Sequence, residues 1–305
     1  MTTLKAWFIS AFVFCLSLCC SLQGYFDQCN EIELELETGV RWDRIDEMVE
    51  VVDTTLIIPY ASTYKQLKTL TSYVVGGRGF IDYNDWIVKG SGHYGWTVSG
   101  DFDQDHIQVS SIRGNTIDWS VGMGYALPVT NCFWFVPLIG YSNDELRLRV
   151  NETRSFDPVL FPSNIAQAHW TSSFYGPWIG FDILFDACYR RCYNFSFDAG
   201  YEFHYGWART KWNQILITPP GDTFGYHTLM SNMMGHVFRF DTQYHLPCEW
   251  LVGIGLQYTH WNNAHKNRAH FDVGSAAGPS ASQVQNTFKL NWQSFAIMAN
   301  LTKAF

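Results

Sequence analysis

Hydrophobic residues alternate with charged or small residues in several segments of the chain, and this period of two predicts β-strands with two unlike faces. Residues 31–37 alternate glutamate with isoleucine or leucine. Similar alternation recurs in residues 117–127, 195–206 and 252–258. One face of these strands is rich in Phe, Tyr and Trp, whereas the other carries glycine, small residues and scattered acids.

Alternating strands of this kind form either a membrane barrel or a soluble sandwich. In a sandwich the apolar face points inward and the polar face meets water, whereas in a membrane barrel the apolar face meets lipid. Aromatic residues make up 17% of the chain and charged residues only 16%, yet the mean hydropathy is −0.10. Lipid-facing and lumen-facing residues cancel in such an average. We therefore predict an all-β fold, a single antiparallel transmembrane β-barrel, and keep the sandwich as the alternative.

About ten strands are predicted, joined alternately by short turns and long polar connections, as in bacterial outer-membrane barrels. The short turns are expected at residues 83–85, 128–131, 188–192 and 246–249. The long connections are expected around residues 45–64, 99–115, 146–170, 208–228 and 262–283. An even number of strands would leave both termini in the periplasm.

The N-terminus has the order of a secretory signal. Lys5 precedes an apolar run over residues 6–20, which is shorter than a membrane-spanning helix requires. We predict a signal peptide over residues 1–24 and a barrel over residues 25–305, located in the outer membrane of a Gram-negative bacterium. The formal net charge of −8 argues against nucleic-acid binding, which requires a basic face.

The strand faces predicted to line the lumen carry both signs of charge. The expected lumen charges are Glu33, Glu35, Lys89, Asp118, Asp182, Asp198, Glu202, Arg239 and Asp241. Buried charges must pair or be neutralised, so Lys89 and Arg239 are expected among the acids. A barrel of ten strands is narrow, and two interpretations stay open: a plug of salt bridges, or a narrow pore of the porin type.

Five cysteines follow the predicted signal peptide, and the topology places all of them at the periplasmic end. They are Cys29, Cys132, Cys188, Cys192 and Cys248. The periplasm is oxidising, so disulfides or free thiols are favoured over a metal half-site at Cys188 and Cys192. Because five is odd, we predict a disulfide to another envelope protein; non-reducing gels of native membranes that show only monomer would contradict this.

The chain resembles the omptin family of outer-membrane proteases in several motifs. These are Gly95-Trp96-Thr97 followed by Asp103-Gln104-Asp105, the strand over residues 177–181, Tyr205-Gly206-Trp207, and the C-terminal strand that ends at Phe305. The resemblance implies a ten-stranded barrel with an active-site cleft at its extracellular rim. It also implies recognition of the terminal strand by the barrel-assembly machinery.

Omptins pair an Asp couple on one side of the cleft with an Asp-x-His couple on the other, and together these groups activate a water. Asp103 and Asp105 match the first couple. No Asp-x-His occurs in residues 208–216, where the second couple is expected. His106 or His227 could substitute for the missing histidine, and His204 is a further candidate inside the lumen.

Two other family features are partly kept. Asp43 matches one carboxylate of the acidic substrate pocket, and the place of its partner falls near Trp212. Tyr141 fits the family's lipid A-binding pattern, but Asn143 and Glu145 stand where the family has an acid and an arginine. Contact with lipopolysaccharide thus stays open, and no cofactor or metal is expected.

These observations favour a non-proteolytic envelope or surface protein of omptin-like architecture, with a narrow pore left open. The alternative is an omptin-type endopeptidase with a relocated histidine. The expected partners are outer-membrane lipid, the assembly machinery and a disulfide-linked envelope protein.

Overall fold

The structure is a computed structural model, and it describes residues 30–305 apart from residues 53–60, 105–106, 110–111, 131, 152–153, 156–164, 187–194, 217–222, 264–268, 276–277 and 283–284. Ten long strands, β1 to β10, follow one another along the chain. Their bounds are Asn30–Val52, Ala61–Tyr83, Trp86–Gln104, Ile112–Tyr125, Phe133–Asn151, Ile165–Asp186, Phe195–Leu216, Thr223–Leu246, Trp250–Asn263 and Gln285–Ala304.

The ten strands form one closed antiparallel barrel. Each strand pairs with its neighbour in the chain, and β1 pairs with β10 from Glu33 opposite Ala304 to Val52 opposite Gln285. The predicted all-β fold and the predicted number of strands are therefore confirmed. Within the described part of the chain, no helix has the length and apolar character needed to cross a membrane.

The two ends of the barrel differ. One end, called the termini end, holds the start of β1, the end of β10 and the tight turns at Asn84-Asp85 and Pro247-Cys248-Glu249. Asn84 and Asp85 in the first turn, and Cys248 and Glu249 in the second, have positive φ, as tight hairpin turns that match the twist of the strands require. The predicted short turns at 83–85 and 246–249 are confirmed, and the turn predicted at 188–192 lies outside the described residues. The turn predicted at 128–131 was wrong, because residues 127–130 form a short strand that pairs with β5.

Five short strands accompany the barrel in the described part of the chain. They are Ile107–Val109, Leu127–Thr130, Arg154–Ser155, Ala269–Ser275 and Gly278–Ser282. At the opposite end, called the loop end, Ile107–Val109 pairs with both β3 and Arg154–Ser155, and Ala269–Ser275 pairs with β8. Strand pairing therefore continues into the loop end.

The barrel half nearer the termini end has an apolar outer surface bordered by aromatic rings. Trp86 and Trp96 on β3 are both exposed, and ten residues separate them. At about 3.3 Å per residue and a tilt of about 40°, this separation corresponds to a height of about 25 Å, the apolar band of an outer-membrane barrel. The girdle on the loop side of the band includes Trp42, Tyr73, Trp96, Trp119, Tyr141, Trp207, Tyr258 and Phe295.

Above this band, toward the loop end, the outer face changes its chemistry. On β5, Phe135 and Ile139 are exposed on the outside, whereas Leu146 and Leu148 are buried inside. Val136 and Leu138 are also buried inside, so on this strand it is the outer face that changes, from Phe135 and Ile139 to the exposed Arg147 and Arg149. The membrane half is apolar outside, and the half beyond the membrane has an apolar core inside, as in a soluble sandwich.

The strands extend well into segments predicted as long connections. β1 continues to Val52, β6 begins at Ile165 and β7 continues to Leu216. The prediction of loops there was wrong. These segments carry polar residues on the outer face and apolar residues inside, and their polar residues were taken as a sign of loops. A span of the bilayer needs only about 9–11 residues, so strands of 22 to 24 residues extend beyond it.

One aromatic ring in the lumen lies over two glycines. Gly122, Gly140 and Trp178 are register partners on β4, β5 and β6. A Cβ atom at Gly140 would lie 2.3 Å from Cζ2 of the Trp178 indole. The absence of a side chain at both glycines therefore allows the indole to lie flat against the barrel wall, where its Nε1 donates to Ser120 at 3.0 Å.

Candidate functional site: the barrel lumen

Arg78 is the central cation of the lumen near the termini end. Its Nη2 lies 2.7 Å from Glu35, its Nη1 2.7 Å from Asp241 and its Nε 3.2 Å from Glu37. Glu37 also contacts the imidazole of His93 at 2.6 Å. One guanidinium therefore joins β2 to β1 and to β8 on the far side of the lumen.

Lys89 and Arg239 hold a second group of acids. Lys89 Nζ lies 2.8 Å from Asp182 and 3.4 Å from Glu202, and Arg239 lies 3.4 Å from Glu202. Lys89 also lies above the Trp178 ring at 5.4 Å. The prediction that both cations are surrounded by the lumen acids is confirmed.

A third ion-pair group lies closer to the loop end. Arg41 contacts Asp118, and its Nε lies 2.9 Å from Asp43. Trp292 Nε1 donates to Asp43 at 2.9 Å, so both partners of Asp43 are inside the barrel. Sequence reasoning missed Arg41 and Arg78, although Arg41 has the same strand parity as the inward glutamates of β1.

An aromatic layer crosses the lumen above these ion pairs. Its members are Trp170, Phe174, Trp212, Trp261 and Trp292, all at most 2% exposed. Phe174 on β6 stacks on Trp292 of β10 at 4.9 Å and lies 5.7 Å from Trp261 of β9. Trp261 also donates to Asp144 on β5 at 3.1 Å. Contacts between strands on opposite walls thus fill the cross-section of the barrel.

Below the aromatic layer, a cavity of about 500 Å³ faces the termini end. We call it the chamber. Its lining includes nine carboxylates and three cations, Arg78, Lys89 and Arg239. The lumen is thus acidic on one side of the aromatic layer and apolar at the layer itself.

The residues predicted to be catalytic lie at the loop end or outside the described residues. Asp103 lies on β3 opposite Gln66, and His227 lies on β8 opposite Lys211, on the other side of the ring of strands. The structure describes only the backbone at these two positions. Asp105 and His106 fall outside the described residues.

The surroundings of Asp43 differ from those of the predicted substrate pocket. Asp43 is 1% exposed and bonded to Arg41 and Trp292, as described above. Trp212, near the place of the family's second carboxylate, is fully buried and packs edge-on against Trp170 at 6.2 Å. A basic substrate side chain would therefore meet an indole layer there.

His204, the third candidate base, is enclosed in the lumen. Its Nδ1 lies 2.9 Å from Ser142 Oγ and its Nε2 3.1 Å from Glu202. The ring is 1% exposed, and Trp178 and Trp261 flank it. Ser, His and Glu here resemble a catalytic triad in composition only, because Ser142 is buried and is not part of the chamber wall.

One group of carboxylates has the spacing of a metal site. Oxygens of Glu35, Glu37 and Asp241 lie within 4.8 Å of one another. Arg78 is within ion-pair distance of all three, so its guanidinium supplies the positive charge that a metal would bring.

The outer surface above the aromatic girdle carries a basic patch on β4, β5 and β7. It consists of Arg113, Arg147, Arg149, Arg209 and Lys211, all exposed. Arg113 and Arg149 are direct register partners. Glu145, which replaces the family's arginine, lies 2.6 Å from Arg147. A protein of net charge −8 thus concentrates five cations directly beyond Trp119, Tyr141 and Trp207.

Cys132 and Cys248 lie at the termini end, and neither forms a disulfide within the part of the chain that the structure describes. Cys248 is exposed at its turn, and Cys132 is partly exposed between β4 and β5. This location agrees with the prediction that the cysteines cluster at one end. Cys29, Cys188 and Cys192 lie outside the described residues, so their pairing stays a prediction.

The fold is similar to that of the outer membrane protease OmpT from Escherichia coli, with a TM-score of 0.70, 11% identity, and coverage of 91% of this chain and 98% of that one. The toluene transporter TodX from Pseudomonas putida matches at TM-score 0.33 and 10% identity, over 92% of this chain and 90% of that one. The translocator domain of the autotransporter NalP from Neisseria meningitidis matches at TM-score 0.33 and 6% identity, over 96% of each chain.

The OmpT match confirms the omptin-like architecture expected from the sequence motifs, but at this identity it shows the fold alone. The two matches at TM-score 0.33 carry no argument. No curated protein matches the sequence. Residues 35–305 match the Protochlamydia outer membrane protein family over most of the chain, and the chain therefore belongs to this family of outer-membrane proteins.

Proposed function

We propose that the chain is a non-proteolytic envelope protein of the outer membrane, with a lumen closed to solutes. The main support for this proposal is the aromatic layer, in which Phe174 contacts both Trp261 and Trp292 across the barrel. The same layer places Trp212 near the expected second carboxylate of an omptin substrate pocket. A cleft of omptin type needs charged groups and a bound water at that height, and buried indoles supply neither.

A peptide-cleavage assay tests the absence of proteolysis. We expect refolded protein with lipopolysaccharide to cleave basic fluorogenic peptides no faster than buffer, because no Asp-x-His follows Trp207 in the sequence. The Asp103→Ala and Asp105→Ala variants should give the same background. Cleavage by the wild type that either substitution abolishes would establish the endopeptidase alternative, with His106 or His227 as the base.

A narrow pore is the second candidate function, and the chamber favours it. Nine carboxylates against three cations would attract cations from the termini end. Conduction would then require a passage through the aromatic layer. Single-channel recording separates the two candidates, as argued in the Discussion.

We propose further that the basic patch binds phosphate groups of outer-membrane lipid. Along their own strands its cations lie two to eight residues beyond Trp119, Tyr141 and Trp207, on the side of the girdle where lipid headgroups are expected. The family pattern at Tyr141, Asn143 and Glu145 is incomplete, but Arg147 offsets the charge of Glu145 at 2.6 Å. Arg113 and Arg149 then supply cations that the pattern does not include.

A binding assay with fluorescent lipopolysaccharide tests this patch. Replacing Arg113, Arg149 and Arg209 together by glutamine should weaken binding by roughly a hundredfold, at about 1 kcal/mol for each cation near the headgroups. Arg44→Gln, on the outer face of β1, is the matched control and should have little effect. Equal affinity of the triple variant and the wild type would exclude this lipid contact.

We also propose that the termini end faces the periplasm, as the barrel asymmetry predicts. A variant in which Cys248 is the single cysteine tests this orientation, because Cys248 is exposed. A membrane-impermeant maleimide should label it only after the outer membrane is permeabilised. Labelling in intact cells would reverse the orientation. Signal cleavage near Gly24 and recognition of the strand ending at Phe305 stay predictions.

A further inference from the structure

The chamber has two walls of different chemistry. Phe80, Ile87, Trp134 and Leu184, on β2, β3, β5 and β6, form an apolar wall that continues into the buried cluster around Trp178. The strands that complete this part of the barrel, β1, β7 and β8, contribute Glu35, Asp198 and Asp241. The chamber volume of about 500 Å³ is within the usual range for small-molecule sites.

Two carboxylate oxygens of the acidic wall are buried without a partner. Asp198 and Asp241 are direct register partners on β7 and β8. Oδ1 of each is buried and has no hydrogen-bond partner among the described residues. Asp241 is only 3% exposed, and Arg78 bonds its other oxygen at 2.7 Å.

Of the three chamber cations, Arg78 contacts Asp241 through its other oxygen, and the nearest carboxylate partners of the remaining two are Asp182 and Glu202. Lys89 contacts Asp182 and Glu202, and Arg239 contacts Glu202. Two neighbouring carboxylates with free oxygens in an enclosed space repel each other unless a proton or a cation lies between them. The site is therefore arranged to accept positive charge from a ligand.

We propose that the chamber binds a small organic amine with a hydrocarbon part. The ammonium donates to Oδ1 of Asp198 and of Asp241, and the hydrocarbon part packs on Trp134 and Phe80. A charged donor to a carboxylate makes a strong hydrogen bond, and the indole face adds attraction to a nearby cation. A bare metal ion would use the acidic wall only, so the apolar wall distinguishes the two ligand classes. Entry is from the termini end, where Glu31, Glu249 and Ala304 reach the chamber.

Calorimetric titration of the refolded full chain in detergent tests the proposal, with phenethylamine as the probe. Its neutral counterpart 2-phenylethanol should bind at least about tenfold more weakly, since it lacks the charge. Asp198→Asn should weaken the binding of phenethylamine by about tenfold or more. Asp101→Asn makes the same charge change at an exposed position near the loop end and should leave binding unchanged.

A second variant tests the apolar wall. Trp134→Leu should weaken the binding of phenethylamine several-fold, yet it should not change the affinity for Ca²⁺ added as CaCl₂. Equal binding of the amine and the alcohol, or an unchanged affinity in Asp198→Asn, would overturn the proposal. If Ca²⁺ binds more tightly than the amine and displaces it, the chamber is a simple cation site and the proposed amine site is wrong. Thermal unfolding of each variant verifies that the barrel is folded.

Discussion

Replacing Arg78 by methionine is expected to lower the free energy of unfolding by about 3–5 kcal/mol, the cost of removing one partner from a buried ion-pair group. Three carboxylates lose their common cation at once, because Glu35, Glu37 and Asp241 all contact this guanidinium. Methionine keeps most of the side-chain volume, so the change in the free energy of unfolding reports mainly the loss of the charge. Urea unfolding in detergent or lipid vesicles measures it.

The matched control is Arg44→Met on β1. Arg44 forms a 3.2 Å pair with Asp46, but its side chain is 56% exposed. Exposed pairs contribute about 0–1 kcal/mol, so this variant should be close to the wild type. Equal effects of the two substitutions would mean that lumen water screens Arg78 as fully as bulk solvent screens Arg44.

Combining Phe174→Ala with Trp170→Ala is expected to open the aromatic layer to ions. Both residues project inward from β6, and the Trp170 indole has no hydrogen-bond partner among the described residues, so its removal leaves no acceptor unpaired. Each truncation should lower the free energy of unfolding by about 3–5 kcal/mol. Planar-bilayer recordings should show conductance steps for the double variant and none for the wild type.

Ile179→Ala is the control on the same strand. Ile179 is 62% exposed on the lipid face, so its truncation should neither open the lumen nor create a cavity. Conductance steps from the wild-type protein would contradict the closed lumen and establish the pore candidate. Cation preference of such steps would then point to the chamber acids.

Several features were predictable because they follow from a local pattern. Alternation in residues 31–37 predicts, from local sequence alone, that Glu35 and Leu36 lie on opposite faces, because successive side chains of a strand point to opposite faces. The pairing of Lys89 with lumen acids followed from the cost of an unpaired buried charge. The partner itself, Asp182 on β6, could not be read from β3 alone.

The candidate site was less predictable than the fold. The omptin motifs indicate a rim with Asp103, but nothing local to residue 212 shows that its indole packs against Trp170. That contact joins β6 to β7 at a particular height, and it depends on register. The change of the outer face of β5 from Ile139 to Arg147 likewise requires knowledge of where the membrane ends.

By itself, the sequence determined that this chain is a barrel of about ten strands with aromatic residues toward lipid and charges inside, because period-two alternation and composition are local properties. Only the tertiary structure decided that Arg78 contacts acids from β1 and β8, that indoles from four strands meet across the lumen, and that Asp198 lies beside Asp241 in a chamber. Those relations join residues far apart in the chain, and closure of the barrel and strand register alone bring them together.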